Sequence, residues 1–117
     1  MDTYIFNADE DMVNKIVEVS KTNSNFNTIK GRILSGDVFV ASGDRKKFLW
    51  DNFQGFCTEM EGASIGHTCY VNNVPFVIIR AMSDKANGTA HSNFQEFTIK
   101  AAKNSSDLIK GYIDIIK

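Results

Sequence analysis

Proline is almost absent from this chain: Pro75 is the only one among 117 residues. With no repeat, no low-complexity tract and no linker, nothing divides the sequence, and residues 1–117 read as a single domain. Cysteine is scarce as well. Cys57 and Cys69 lie twelve apart without a Cys-x-x-Cys spacing, so two reduced, structural thiols are expected rather than a disulfide or a zinc site. The two histidines do not supply a metal site either, because His67 and Cys69 are two apart and fall on different faces of a helix, and His91 lies in a polar stretch. An excess of either charge is missing too. A net charge of −1 and a pI near 6.1 leave no basic patch for nucleic acid and no polybasic membrane anchor, which points to small-molecule partners. No apolar run approaches transmembrane length, and the acidic stretch 1–12 has no apolar signal core, so a cytoplasmic protein is expected.

What is present suffices for a packed interior, since 43% of the residues are hydrophobic. Helix and strand patterns alternate along the chain. Asp9 or Asp11 can cap a helix whose apolar stripe is Met12, Val13, Ile16 and Val17, ending near the polar stretch 21–25. Residues 28–34 and 38–41 are predicted as strands around a Ser35-Gly-Asp37 turn, with 42–45 as a loop and 46–53 as a short helix. A helix over 59–70 and a strand over 74–82 follow. The last helix is predicted from a capping box at Ser92-Asn-Phe-Gln95, and from Phe94, Phe97, Ala101, Leu108, Tyr112 and Ile116 at helical spacing. This alternation makes the chain α/β in class.

Two places carry more chemistry than packing asks for. The run Pro75-Phe-Val-Ile-Ile-Arg-Ala-Met-Ser-Asp84 has the length and β-branched content of a strand buried on both faces, and it ends in Ser83 and Asp84. The carboxyl edge of an open α/β sheet is where ligands bind, and a carboxylate there is a candidate proton donor or acceptor; a polar loop residue that caps something explains Asp84 equally well by itself. The second place is Glu59-Met-Glu61, at the start of a segment rich in small residues that lets a helix lie close to a sheet or a ligand. A helix dipole accounts for one acid in a first turn. Two acids on the rim that also carries Asp84 suggest a further role, and an ionised carboxylate, which only accepts hydrogen bonds, suits a pair of vicinal sugar hydroxyls.

Ser35-Gly-Asp37 with Phe39, then Glu59-Met-Glu61, then Asn73-Val-Pro-Phe-Val-Ile-Ile-Arg-Ala-Met-Ser-Asp84 resemble, in order and spacing, the 5′-methylthioadenosine/S-adenosylhomocysteine nucleosidases of the purine nucleoside phosphorylase superfamily. The resemblance runs from about residue 4 to residue 117 and covers the carboxyl-terminal half of the family's domain. It implies a three-layer phosphorylase-like fold, a central mixed sheet flanked by helices, of which this chain is that half. The other half would carry the opening strands, a glycine-rich segment near the sugar, and the glutamate that activates the attacking water.

By this resemblance, Asp84 would protonate the purine N7 so that adenine leaves as a neutral base, and Ser83 would orient Asp84. Glu61 would hold the ribose hydroxyls, with Met60 packed under the ribose. Phe39 would stack on the adenine, the backbone of Val40 would read its polar edge, and Phe94 would line the pocket near the 5′-alkylthio group. The resemblance implies no cofactor and no metal, an adenine nucleoside as the small-molecule partner, and a homodimer in which the neighbouring subunit completes the pocket.

Simpler readings of single residues stand beside these. Phe39 on a two-faced strand reads as core before it reads as a stacking platform, and Met60 and Phe94 are equally explained by helix packing. Arg80 within a buried strand needs a partner, and a structural ion pair with Glu59 is preferred to substrate contact. At the level of function, hydrolysis of methylthioadenosine and S-adenosylhomocysteine leads. A phosphorylase of the same superfamily is the first alternative, and a non-catalytic fragment that binds purine or self-associates through an unpaired strand edge is the second.

Overall fold

The computed structural model describes residues 4–23, 26–37, 42–82 and 94–117. The first helix, α1 (Glu10–Ser20), starts at one of the expected caps. Asp9 is extended, at φ −64° and ψ 123°, and its Oδ1 accepts the Met12 amide at 2.9 Å. Glu10 and Asp11 occupy the first turn, where the helix dipole favours negative charge. The predicted stripe faces inward, with Ile16 only 5% exposed. It rests on the long carboxyl-terminal helix, whose Leu108 is also 5% exposed and is flanked by half-buried Phe97, Ala101 and Tyr112. A Cβ on Gly111 would lie 2.6 Å from Val19 Cγ1, so this crossing requires a glycine inside a helix. The capping box expected at Ser92 falls outside the described residues, and Ile116 is exposed rather than part of the buried stripe.

β1 (Arg32–Ser35) and β2 (Gly55–Glu59) form a parallel pair joined through α2 (Gly43–Phe53), the crossover that parallel strands require. β1 is shorter than the predicted 28–34 because its ladder begins only where Gly55 of β2 stands opposite Arg32. α2 is longer than predicted. Ser42 Oγ accepts the Arg45 amide at 3.2 Å, and this N-cap draws residues 43–45, expected in a loop, into the helix. The helix stops at Gln54, in the left-handed region at φ 52°, whose N–H donates to the Trp50 carbonyl at 2.9 Å. The strand expected over 38–41 lies outside the described residues.

α3 (Gly62–Val71) follows β2 after two residues. Glu59, expected in the first turn of a helix, is therefore the last residue of β2, and Glu61 takes the N-cap position of α3. The amino-terminal stretch lies over this helix, with the Phe6 ring stacked on His67 at 5.1 Å. α4 (Phe94–Ile116) completes the order of elements.

The largest correction concerns residues 74–82, predicted as a strand buried on both faces. They form no ladder among the described residues; residues 76–79 are half-buried, while Val74 and Met82 are 52% and 49% exposed. The Phe76 carbonyl accepts the Asp9 amide at 2.7 Å, and a Cβ on Gly66 would sit 3.2 Å from the Phe76 ring, so the run lies against α3. Apolar, β-branched composition suits a strand, but the strand itself is made by a partner. Beside the run is a cavity of about 580 Å³ whose lining includes Ile5, Ile33, Leu34, Phe56, Ile78 and Leu108.

Candidate functional site

Because β1 and β2 point the same way, their carboxyl ends lie side by side, with Ser35 and Glu59 as register partners. Ligands of open parallel sheets bind at this edge. The Glu59 side chain is 2% exposed, and the groups around it donate to it. Its Oε2 accepts the Gly62 amide at 2.6 Å and the Glu61 amide at 3.2 Å, and its Oε1 accepts the Ser35 hydroxyl. Ser35 Oγ in turn accepts the Ala63 amide at 2.7 Å. The amides that an α-helix leaves unpaired at its start thus end on side chains of the two strands. A Cβ on Gly62 would lie 2.9 Å from Glu59 Oε1, so the carboxylate itself requires glycine there.

Arg80 completes the corner from the extended run. Its Nε lies 3.7 Å from Glu59 Oε2, and one of its Nη atoms lies 3.4 Å from Glu61 Oε2. The Arg80–Glu59 ion pair expected from the sequence is present, but the guanidinium is shared with Glu61 and the Arg80 side chain is 41% exposed instead of enclosed in a strand. Among the described residues no buried side-chain nitrogen or oxygen lacks a partner.

Glu61 contrasts with Glu59. At φ −125° and ψ −27° it occupies the N-cap position of α3 but makes no capping bond with its side chain, which is 62% exposed. The Met60 amide approaches Glu61 Oε2 at 3.3 Å, and Met60 itself is 48% exposed. Chemically, the corner offers an accessible carboxylate able to accept two hydroxyls, beside a half-exposed methionine and a guanidinium. Neither Glu61 nor Met60 lines the apolar cavity, although the cavity reaches Arg80, Gly62 and Ala63.

The structure therefore brings two of the expected site residues, Met60 and Glu61, onto one connection at the sheet edge. Phe39, Val40, Ser83 and Asp84 lie outside the described residues, as does His91; Phe94 opens α4, and only its backbone is described. Sequence reasoning missed the part played by Ser35, taken as one end of a turn. The available signal was its place at the end of an apolar stretch, just before glycine. Cys57 is half-buried, and burial, reinforced by the Glu59 charge, pushes its thiol above the ordinary range, which makes it a poor nucleophile at neutral pH. Both cysteines are free.

The family model described as "Phosphorylase superfamily" matches residues 1–114. The chain belongs to that superfamily. Within it, the chain is 38% identical over 112 residues to a 5′-methylthioadenosine/S-adenosylhomocysteine nucleosidase of Staphylococcus haemolyticus, covering 95% of this chain and 49% of that protein. The structure of a mutant Helicobacter pylori nucleosidase with 5′-methylthioadenosine in its active site matches with a TM-score of 0.86 at 31% identity, over 97% of this chain and 49% of that one. A futalosine hydrolase of Helicobacter pylori matches with a TM-score of 0.83 at 34% identity, over 93% of this chain and 46% of that one. The α/β architecture expected from the sequence is thus that of phosphorylase-superfamily structures, and this chain spans about half the length of the relatives it matches.

Proposed function

We propose that the chain carries the base- and ribose-binding part of a site that hydrolyses the N-glycosidic bond of 5′-methylthioadenosine and S-adenosylhomocysteine, releasing adenine. The observation that carries this reading is the exposed, uncapped Glu61 carboxylate at the carboxyl edge of the parallel pair. Similarity to relatives named for these substrates supports it. In this reading Glu61 accepts the two ribose hydroxyls, and its negative charge opposes the positive charge that develops on the sugar as the bond breaks. Met60 packs under the ribose. Asp84, oriented by Ser83, delivers a proton to N7, so adenine departs neutral. Phe39 stacks on the base, the Val40 backbone reads its edge, and Phe94 lines the 5′ pocket. The reading assigns the apolar cavity beside residues 74–82 to strands of the half that the relatives have and this chain does not span, the half that would bring the water-activating glutamate. It also carries a homodimer, a cytoplasmic location and a part in methionine salvage.

The test is adenine release from methylthioadenosine, with and without phosphate, beside Asp84→Asn. Release without phosphate that vanishes in the variant would support the reading, with another group activating the water in place of the glutamate of the half that this chain does not span. Release that depends strictly on phosphate would make the protein a phosphorylase, and purine binding without release would favour a non-catalytic fragment. The similarity to futalosine hydrolase motivates a second reading, cleavage of futalosine at the same edge. Turnover of futalosine with none of methylthioadenosine would select it.

A further inference from the structure

We infer that Glu59 is a positioning residue for Glu61: it satisfies the start of α3 in place of the N-cap side chain, and so keeps the Glu61 carboxylate available to sugar hydroxyls. The sugar contact rests on the nucleosidase reading; the positioning rests on geometry alone.

The short side chains favoured at an N-cap, Asp, Asn, Ser and Thr, accept from the amides of the first turn. Glu61 holds that position and makes no such bond. The work is done from the strands instead, by Glu59 on the amides of Glu61 and Gly62 and by Ser35 on that of Ala63. Ser35 also donates to Glu59, so the two acceptors hold one another. Three features tie this device to Glu61. Its own amide is anchored on Glu59 Oε2 at 3.2 Å, which fixes the backbone from which the side chain projects. Arg80 lies between the two carboxylates, 3.7 Å from one and 3.4 Å from the other, and offsets their repulsion. Gly62 leaves the space that the Glu59 carboxylate fills. If the Glu59 charge is removed, the stranded amides have, among the described residues, the neighbouring carboxylate of Glu61 to turn to. Glu61 then turns inward to cap the helix and is withdrawn from the ligand.

The experiment compares the wild-type chain with Glu59→Gln, and with Ser35→Ala as the milder variant. Amide exchange is followed at residues 61–63 and in α4, and binding of 5′-methylthioadenosine and of adenine is measured by calorimetry. In Glu59→Gln, exchange at Gly62 and Ala63 is expected to speed up by about tenfold while α4 is unchanged. Methylthioadenosine affinity should fall by about tenfold with adenine affinity within about twofold, since only the nucleoside has the hydroxyls. Ser35→Ala should shift both readouts the same way by less. Adding Glu59→Gln to Glu61→Gln should cost no further affinity, because both act through one carboxylate. Unchanged exchange at residues 61–63, equal losses for adenine and nucleoside, or additive losses in the double variant would each overturn the inference. If the wild-type chain binds neither compound, the nucleosidase reading fails and the exchange data alone decide the positioning.

Discussion

The corner between β2 and α3 and the apolar run 74–82 meet at Arg80, and their backbones are treated in opposite ways. At the corner, the amides of residues 61–63 all end on side-chain oxygens, around a carboxylate that is 2% exposed. In the run, the Phe76 carbonyl is bonded to Asp9, yet no ladder forms among the described residues despite the strand-like Val77, Ile78 and Ile79. The corner draws on neighbours in sequence, with Ser35 and Arg80 brought in by the parallel pair and the extended run. The run needs a second strand along its length, and the described residues do not provide one. Among the described residues the local capping is complete and the ladder for the run is not.

The contrast can be broken most directly at Glu59. Glu59→Ala leaves the buried Gly62 amide and the part-buried Glu61 amide without an acceptor and Arg80 without its buried partner, and should lower stability by about 3 kcal/mol in urea unfolding. A loss below about 1 kcal/mol would mean that the corner is no better ordered than the run. Phe76→Ala should cost less, about 1–2 kcal/mol, because this side chain is only half-buried and removing it opens space that already borders α3. A loss as large as that of Glu59→Ala would make the run part of the core. The smallest effect is expected at the exposed Lys103–Asp107 pair on α4, 2.7 Å apart. Its hydrogen bond with Lys103 holds the Asp107 carboxyl below the usual range, so its contribution is present above the ordinary carboxylate pKa and disappears as pH falls through the lowered value. Asp107→Asn should be slightly less stable than wild type at neutral pH and indistinguishable from it in strong acid.

Features set by residues close in sequence were legible from it. The Asp9 cap and the Ile16 stripe of α1 follow from a few adjacent side chains, as does the Leu108 face of α4. The Arg80–Glu59 pair was legible too, because a charge in an apolar run demands a partner. What failed was the assignment of strands whose existence depends on distant neighbours. Residues 74–82 have the composition of a strand but no ladder among the described residues, and Glu59 ends a strand although the acids before a small-residue segment look the same whether they end a strand or begin a helix. In the site, Glu61 and Met60 fall at the expected edge. Ser35 escaped notice because its role depends on a register partner 24 residues away.

The most direct test of the account is a titration of the chain with 5′-methylthioadenosine and with adenine, repeated with Glu61→Gln. The account predicts that wild type binds the nucleoside more tightly than the base by about tenfold or more, and that Glu61→Gln removes the difference while adenine binding persists. Equal affinity for nucleoside and base in the wild-type chain, or a preference that survives Glu61→Gln, would contradict it.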